Sequence, residues 1–295
     1  MVGLGPGVQS RFLNVSAGRM HYFEAGQGNP VVCVHGNPTH AFFFRSTFVE
    51  LAPDFRVLAL DHLGCGASSL PRESDYAFRL NDRVRDLSEF LVQLNLQDRL
   101  TLILHDWGGM IGLLYAVRNP ERVERIVLLN TAGFGLPAGK RFPRSLWLCR
   151  LPLLGALLVR GLNLFCRGAA RYCVTKRPLP PEIRQAYLGP YGSWKRRLAV
   201  HRFVQDIPLT ADHPSHPFLL ECETGLDRLR KIPRLVCWAG RDFIFDGAFL
   251  AEWRRRWPDA EYELYPDAGH YLLEDEPLAA PRRIRRFLQE HPIQA

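Results

Sequence analysis

An aspartate stands where this chain turns from an apolar run into a helical pattern, in the segment 105–109 with the sequence HDWGG. A strand that turns sharply into a helix exposes one side chain above the helix N-terminus, whose NH groups favour negative charge. A carboxylate has a reference pKa of about 3.9, so Asp106 is ionised at neutral pH without help from a base. We therefore predict that Asp106 is a nucleophile. The alternative is an aspartate that caps the helix, beside glycines that permit close packing.

A carboxylate nucleophile needs a histidine to activate water in a second step, and another carboxylate to orient that histidine. Asp242 follows the buried-strand pattern of residues 232–238, and His270 lies on a loop after the alternating segment Glu261–Tyr265. We predict that Asp242 is the orienting acid and His270 the base, because each comes just past the end of a predicted strand. As alternatives, Asp242 is a turn residue, Asp246 is the acid, or His270 is a surface loop histidine.

A second loop, 35–39 with the sequence HGNPT, follows another buried-strand pattern. The backbone NH groups of Asn37 and Trp107 are predicted to form an oxyanion hole, and their side chains add uncharged amide and indole donors. One donor placed where charge develops is worth about 3 to 4 kcal/mol in comparable enzymes. The alternative assigns Trp107 to packing and Asn37 to the turn before Pro38. His105 is expected to be structural, because its side chain should point away from the substrate side of the turn.

The type of nucleophile restricts the electrophile. A carboxylate that attacks an acyl group makes a high-energy anhydride, whereas attack on a saturated carbon with a leaving group makes an ordinary alkyl ester. The expected electrophile is therefore an sp3 carbon in an alkyl halide, an epoxide or a strained lactone. An epoxide would also require a proton donor, such as two tyrosines among Tyr172, Tyr187 and Tyr191.

The elements that must position these residues follow from the apolar patterns. Eight short strand patterns alternate with helical patterns, which predicts a mostly parallel α/β sheet with helices on both faces. The alternation stops over residues 134–217, where the chain is helical and unusually apolar. We therefore predict a core domain of residues 1–133 and 218–295 with an inserted helical cap, 134–217.

Four motifs of the chain resemble the haloalkane dehalogenase family of α/β-hydrolases, over about residues 29–288: HGNPT at 35–39, DHLGCGAS at 61–68, HDWGG at 105–109 and GHYLLED at 269–275. The resemblance implies the α/β-hydrolase fold. It also implies Asp106 as nucleophile, Trp107 and Asn37 as leaving-group donors, Asp242 as acid and His270 as base. Leu104 departs from the small residue that a strict elbow carries two positions before the nucleophile. Asn130 stands where one dehalogenase subfamily has its acid, which favours Asp242.

Within that family, residues 142–174, 203–208 and 238–253 are most similar to a branch with the β-lactone decarboxylases of bacterial olefin biosynthesis, classed with the third dehalogenase subfamily. The resemblance implies decarboxylation of a long-chain cis-β-lactone to a cis-alkene. Haloalkane dehalogenation is the first alternative and epoxide hydrolysis the next. A catalytically silent scaffold subunit is the alternative outside enzymes. No cofactor is expected.

The net charge of +8 and the sequence pI near 9.3 are compatible with nucleic-acid binding. Arginines at 254–256 and 282–286 alternate with apolar residues at helical spacing, so we interpret them as solvated helix faces and predict no nucleic-acid binding. The seven cysteines form no CxxC pair, so neither disulfides nor a metal site are expected. Residues 1–16 lack the apolar core of a secretory signal, and the cytoplasm is the expected compartment.

The leucine-rich stretch 146–166 is interrupted by Arg150, Pro152 and Arg160, so no transmembrane span is predicted. Its leucines exceed what a small cap core can bury, which suits a small apolar substrate with long alkyl chains. The alternative is simple packing of the cap onto the core. A peripheral contact of the cap with a membrane or a multi-enzyme complex is left open.

Overall fold

An eight-stranded sheet organises the residues that the computed structural model describes, 3–96 and 99–293. The strands are β1 (Gln9–Val15), β2 (Gly18–Ala25), β3 (Pro30–Val34), β4 (Arg56–Leu60), β5 (Leu100–His105), β6 (Val123–Leu129), β7 (Arg234–Ala239) and β8 (Glu261–Tyr265). They lie in the order β1-β2-β4-β3-β5-β6-β7-β8. β2 is antiparallel to both neighbours and all other pairs are parallel. The predicted mostly parallel, eight-stranded sheet is confirmed.

Twelve α-helices accompany the sheet within the described ranges. They are α1 (Arg45–Leu51), α2 (Leu80–Gln93), α3 (Trp107–Arg118), α4 (Arg144–Arg150), α5 (Pro152–Gly155), α6 (Leu164–Tyr172), α7 (Pro181–Leu188), α8 (Leu198–Gln205), α9 (His216–Gly225), α10 (Gly247–Arg256), α11 (Leu272–Asp275) and α12 (Ala279–Glu290). A π-helix, Ala156–Gly161, continues α5.

The central strands are mostly apolar, as strands with helices on both faces of the sheet are. Every residue of β5 and β7 is buried. Side chains alternate between two hydrophobic clusters, as the pleat requires: Val32 and Val34 belong to the cluster with α2, α3 and α10, and Val31 and Cys33 to the one with α1 and α12. Because β3, β5, β6, β7 and β8 run parallel, the carboxyl ends of β3, β5, β7 and β8 meet at one edge of the sheet.

The chain between β6 and β7 contains only helices and connecting turns. α4, α5, the π-helix, α6 and α8 pack around a small apolar cluster of Val159, Cys166, Tyr191 and Val200. α9 differs, because it packs against α3 on the sheet. The predicted end of the cap, residue 217, thus falls in the first turn of a helix that covers the core.

Within residues 3–96 and 99–293, no single helix has both the length and the hydropathy that crossing a bilayer requires. One pair, Pro152–Gly161 with Leu164–Tyr172, reaches that length and composition only together, and its two halves are bent by 64°.

Candidate active site

Asp106 occupies a sharp turn between β5 and α3, with φ 51° and ψ −127°. A side-chain-bearing residue with positive φ is held there only by its surroundings. The turn depends on close neighbours without side chains. A Cβ on Gly108 would lie 2.0 Å from the Val34 carbonyl oxygen, and a Cβ on Gly36 would lie 2.0 Å from Asp106 Oδ1. The glycines of the two loops are therefore needed to bring the backbone and the carboxylate together.

Leu104, the bulky residue two positions before Asp106, is accommodated by α3. A Cβ on Gly112 would lie 2.3 Å from Leu104 Cδ2, so the leucine fills the space that this glycine leaves. The departure from a small residue is thus compensated one helical turn beyond the elbow. Thr131 Oγ1 donates to the Asp106 carbonyl oxygen at 2.5 Å and holds the turn from the end of β6.

The structure brings Asp106, His270 and Asp242 together from the loops after β5, β8 and β7. His270 Nδ1 lies 2.7 Å from Asp242 Oδ2, and His270 Nε2 lies 3.6 Å from Asp106 Oδ2. All three side chains are buried. Asp242 Oδ1 accepts hydrogen bonds from the backbone NH groups of Ile244 and Phe245. The imidazole is therefore held by Asp242 on one side and faces Asp106 on the other.

The electrostatic environment raises the pKa of both Asp106 and His270. Burial raises the pKa of Asp106, and the charge of His270 and the NH groups of Asn37 and Trp107 only partly oppose this. Burial alone would lower the pKa of His270. The charge and hydrogen bond of Asp242, with the charge of Asp106, outweigh that and raise it above its ordinary 6.5. A buried carboxylate and a positive imidazole thus stabilise each other.

The backbone NH groups of Asn37 and Trp107 bond the Asp106 carboxylate itself. The NH of Asn37 lies 2.6 Å from Asp106 Oδ1, and the NH of Trp107 also donates to this side chain. The predicted oxyanion hole therefore surrounds the nucleophile. If Asp106 becomes an ester, these donors face the oxygen that gains charge when water attacks. Asn37 Nδ2 donates to the Val200 carbonyl oxygen, which ties the loop to α8.

The competing residues have other partners. Asp246 accepts from the NH of Ala248 as the N-cap of α10 and forms an ion pair with Lys140. His105 Nε2 lies 2.9 Å from the His270 carbonyl oxygen, and its ring stacks on Phe43. Neither side chain lies on the cavity beside Asp106.

The three cap tyrosines do not converge above Asp106. Tyr187 donates to Glu274, Tyr191 donates to the Thr39 carbonyl oxygen, and Tyr172 is 65% exposed. None of the three lines the cavity. These three tyrosines are therefore not placed to protonate an epoxide oxygen beside Asp106.

A cavity of about 380 Å³ lies between the sheet edge and the helices that follow β6. Asp106, Asn37 and Trp107 lie in its wall. The rest of the wall is largely apolar, and includes Phe134, Phe142, Leu146, Phe165, Val204, Ile207, Leu219, Phe245 and Phe249. A cavity of this size and lining suits a small apolar ligand that meets a few polar groups. Among the residues described, no group of three metal-ligating side chains lies close together.

Two residues that sequence reasoning did not assign to the site hold its loops. Asn130, at the end of β6, donates to the carbonyl oxygens of Ala239 and Phe245 and accepts from the NH of Ala239. It therefore fixes the loop that carries Asp242. Asp275 accepts from the NH groups of Gly269 and Thr175, and so links the His270 loop to the chain after α6. The sequence indicated these two residues only by their positions, Asn130 at the end of a strand and Asp275 within the GHYLLED motif.

Comparisons with known proteins identify the family of this chain. A family model described as the alpha/beta hydrolase fold matches residues 29–277. The chain is 42% identical over 279 residues to the cis-3-alkyl-4-alkyloxetan-2-one decarboxylase of Shewanella oneidensis, covering 95% of this chain and 88% of that protein. It is 37% identical to the Xanthomonas campestris protein of the same name, covering 93% of each. It is 31% identical to haloalkane dehalogenase 2 of Mycobacterium tuberculosis, covering 95% of each.

A solved structure of a haloalkane dehalogenase has the same fold as this chain. The crystal structure of the haloalkane dehalogenase DatA from Agrobacterium tumefaciens matches with a TM-score of 0.89 and 25% identity. The match covers 99% of this chain and 100% of that one.

Proposed function

This chain belongs to the α/β-hydrolase fold family, and we propose that it converts a cis-β-lactone with two alkyl substituents into an olefin and carbon dioxide. The observation that carries the proposal is a buried carboxylate, Asp106, at the floor of an apolar cavity and 3.6 Å from His270 Nε2. The relatives named above as decarboxylases support this choice of substrate. We also propose that residues 134–217 act as the cap, since Phe142, Leu146 and Phe165 line the cavity.

In the first step, an Asp106 oxygen attacks the ring carbon that bears the lactone oxygen. A bond forms between Asp106 and this saturated carbon, the carbon–oxygen bond of the ring breaks, and its electron pair goes to the released carboxylate. Relief of ring strain drives the opening. Asp106 suits this role because burial in an apolar cavity removes water from the carboxylate, which strengthens it as a nucleophile.

In the second step, the bond between the released carboxylate and the neighbouring ring carbon breaks. Carbon dioxide leaves, the electron pair forms the double bond, and the bond to Asp106 breaks to restore its carboxylate. Because attack inverts the first carbon, the Asp106 oxygen and the carboxylate are anti to each other, as elimination requires. Two alkyl groups that are cis in the lactone stay cis in the alkene. The cycle needs neither water nor a net proton.

The remaining residues act on the charges that develop. The side chains of Trp107 and Asn37 lie on the cavity wall, where we place the released carboxylate. His270, whose positive form Asp242 stabilises, lies beside Asp106 Oδ2 and stabilises the aspartate as it leaves. Its positive form is thus useful in the lactone reaction.

Haloalkane dehalogenation is the second candidate, because the same nucleophile and donors suit a halide. It differs in needing water, which neutral His270 would activate against the Asp106 ester. Epoxide hydrolysis is not proposed, since Tyr187 and Tyr191 form hydrogen bonds elsewhere.

We also propose that the protein is located in the cytoplasm. This reducing compartment suits the seven cysteines, which are all free thiols and of which six are buried.

Matched substrates test the proposed function directly. We expect the protein to release olefin and carbon dioxide from a cis-3,4-dialkyl β-lactone, measured by gas chromatography with mass spectrometry. Halide release from 1-haloalkanes of similar chain length should be slower. If only halide is released, the protein is a dehalogenase and the lactone assignment is wrong.

Replacing Trp107 with Phe is expected to lower kcat for the lactone by about 10²-fold, because one hydrogen-bond donor to the developing carboxylate is lost. The packing of the ring on Phe203 should persist, since both side chains are aromatic. Steady-state kinetics measures the change, and Met110→Leu, another cavity residue, serves as the control. A Trp107→Phe variant that changes only KM would argue against a role in stabilising charge.

As pH rises through the pKa of His270, kcat should change in opposite directions for the two substrates. The raised pKa of Asp106 predicts that both activities are lost as pH falls through it, because the nucleophile becomes protonated. As pH rises through the raised pKa of His270, olefin release should fall, because the positive charge beside the leaving aspartate disappears. Halide release should instead rise, because neutral His270 is the base. Parallel profiles for both substrates would contradict the lactone mechanism.

A further inference from the structure

The positive charge of this protein is concentrated in one part of the chain. From Lys140 to Arg177 the sequence carries nine lysines and arginines and no aspartate or glutamate. That excess is larger than the net charge of +8 of the whole chain. The residues outside this segment therefore carry slightly more acidic than basic side chains.

Most arginines of the two core clusters pair with neighbouring carboxylates. Arg255 and Arg256 pair with Glu252, and Arg285 pairs with Glu50 and Asp54. Residues 140–177 contain no carboxylate of their own, and of their nine basic residues Lys140 and Lys176 pair with Asp246 and Glu276. Arg144, Arg167 and Arg171 are exposed there. The excess of positive charge therefore lies in residues 140–177.

The same segment exposes large apolar side chains. Eight of those that the structure describes as exposed lie within residues 147–172: Trp147, Leu148, Leu153, Leu154, Leu157, Leu162, Leu164 and Tyr172. Leu153 is 88% exposed, and Trp194, itself exposed, lies beside Gly161. We call these residues, together with Arg144, Arg167 and Arg171, the outer cap face.

The helices of the outer cap face are amphipathic. Their inner sides contribute Val159 and Cys166 to the buried cap cluster, so the exposed leucines point the other way. On α6, Leu164, Arg167 and Arg171 are three and four residues apart and share one exposed side. Leucines mixed with arginines and flanked by tryptophan and tyrosine are the composition of a helix that lies in a membrane interface.

We propose that the outer cap face docks on the surface of an anionic lipid bilayer. The occupant follows from charge complementarity, since a surface of uncompensated arginines around leucines matches anionic head groups above acyl chains. The outer cap face adjoins the cavity. Leu146 of α4 lines the cavity, while Trp147 and Leu148 of the same helix are exposed. The proposal does not depend on which reaction the protein catalyses.

Sedimentation with sucrose-loaded vesicles tests the docking. We expect the whole protein to bind vesicles of phosphatidylcholine with phosphatidylglycerol and to bind pure phosphatidylcholine far more weakly. In about 1 M salt, where the Debye length is about 3 Å, most of the binding should be lost. Fluorescence should shift to the blue on binding, and the shift should vanish in a Trp147→Phe, Trp194→Phe variant. Absence of binding to the anionic vesicles would overturn the proposal.

Matched variants separate docking from simple attraction by net charge. Replacing Arg144, Arg167 and Arg171 with Gln should weaken binding about a hundredfold, or about fivefold for each residue. Replacing Arg241, Arg255 and Arg282 with Gln removes the same charge from exposed positions of the core and should have a much smaller effect. Equal losses in the two triple variants would overturn the proposal.

A second pair of matched variants tests the contribution of the exposed leucines to vesicle binding. Leu153→Gln with Leu157→Gln should weaken vesicle binding by about tenfold for each leucine. Val49→Gln with Leu278→Gln, which changes similarly exposed residues of the core, should leave it unchanged. Circular dichroism and turnover in detergent-free buffer check that each variant is folded. If wild type instead self-associates and the leucine variant stays monomeric, a second copy covers this face and the membrane proposal is wrong.

Discussion

Replacing Asp106 with Asn is expected to lower kcat for β-lactone and haloalkane alike by at least about 10⁴-fold, the scale on which loss of a covalent nucleophile acts in other hydrolases. An amide is neutral and cannot displace a leaving group from a saturated carbon. The Asn37 and Trp107 NH groups would still find an oxygen acceptor, so the fold should persist. Product release by chromatography and halide assay measures the loss.

Two further variants sharpen this test. Asp106→Ala should show the same loss, which excludes recovery of the carboxylate from the amide by deamidation. Asp246→Asn is the matched control, since Asn is also a good N-cap and this aspartate contacts Lys140 and α10. Its activity should be close to that of wild type. If Asp106→Asn retains full activity, Asp106 is not the nucleophile. If wild type has no activity on either substrate, the catalytically silent scaffold is the better hypothesis.

Replacing His270 with Ala should affect the two substrates differently. With a haloalkane, attack by Asp106 still occurs but no base activates water, so turnover should fall by about 10²–10⁴-fold. The Asp106 peptide should then carry the mass of the alkyl group. With the lactone, loss of carbon dioxide itself releases Asp106, so olefin should continue to form at a reduced rate. Intact-protein and peptide mass spectrometry measures the adduct, and chromatography the olefin.

The outcome also distinguishes the two lactone pathways. Equal losses for both substrates, with the whole lactone mass retained on Asp106, would show that water releases this ester too, and the product would be a β-hydroxy acid. His213→Ala, a partly buried histidine outside the cavity wall, is the control and should retain both activities. Asp242→Asn should resemble His270→Ala, because the imidazole would lose its orienting charge.

Much of the fold was predictable because of how parallel sheets are buried. β5 and β7 have helices on both faces, so they appear in the sequence as nearly continuous apolar runs with visible ends. Asp106 and Asp242 follow such ends, and His270 follows the alternating strand β8. Their convergence was expected, because the carboxyl ends of parallel strands meet at one edge.

Other features depended on residues that lie far apart in the chain. Leu104 departs from the usual elbow pattern, yet it fits because Gly112 leaves room for it. Asp246 lies close enough to Asp242 in the chain to compete as the acid. In the structure, Asn130 holds the loop in which Asp242 contacts His270. Tyr187 and Tyr191 were candidate proton donors, and their partners on Glu274 and Thr39 keep them away from the cavity.

The sequence by itself determined which residue types can react and on which strand ends they lie, because hydrophobic periodicity and turn residues are local properties of the chain. The tertiary structure alone decided where each side chain points and which donors already bond the Asp106 carboxylate. It also decided that the apolar excess of the cap is divided between the cavity and the exposed face. Those outcomes depend on contacts between distant segments, whose energies no local pattern contains.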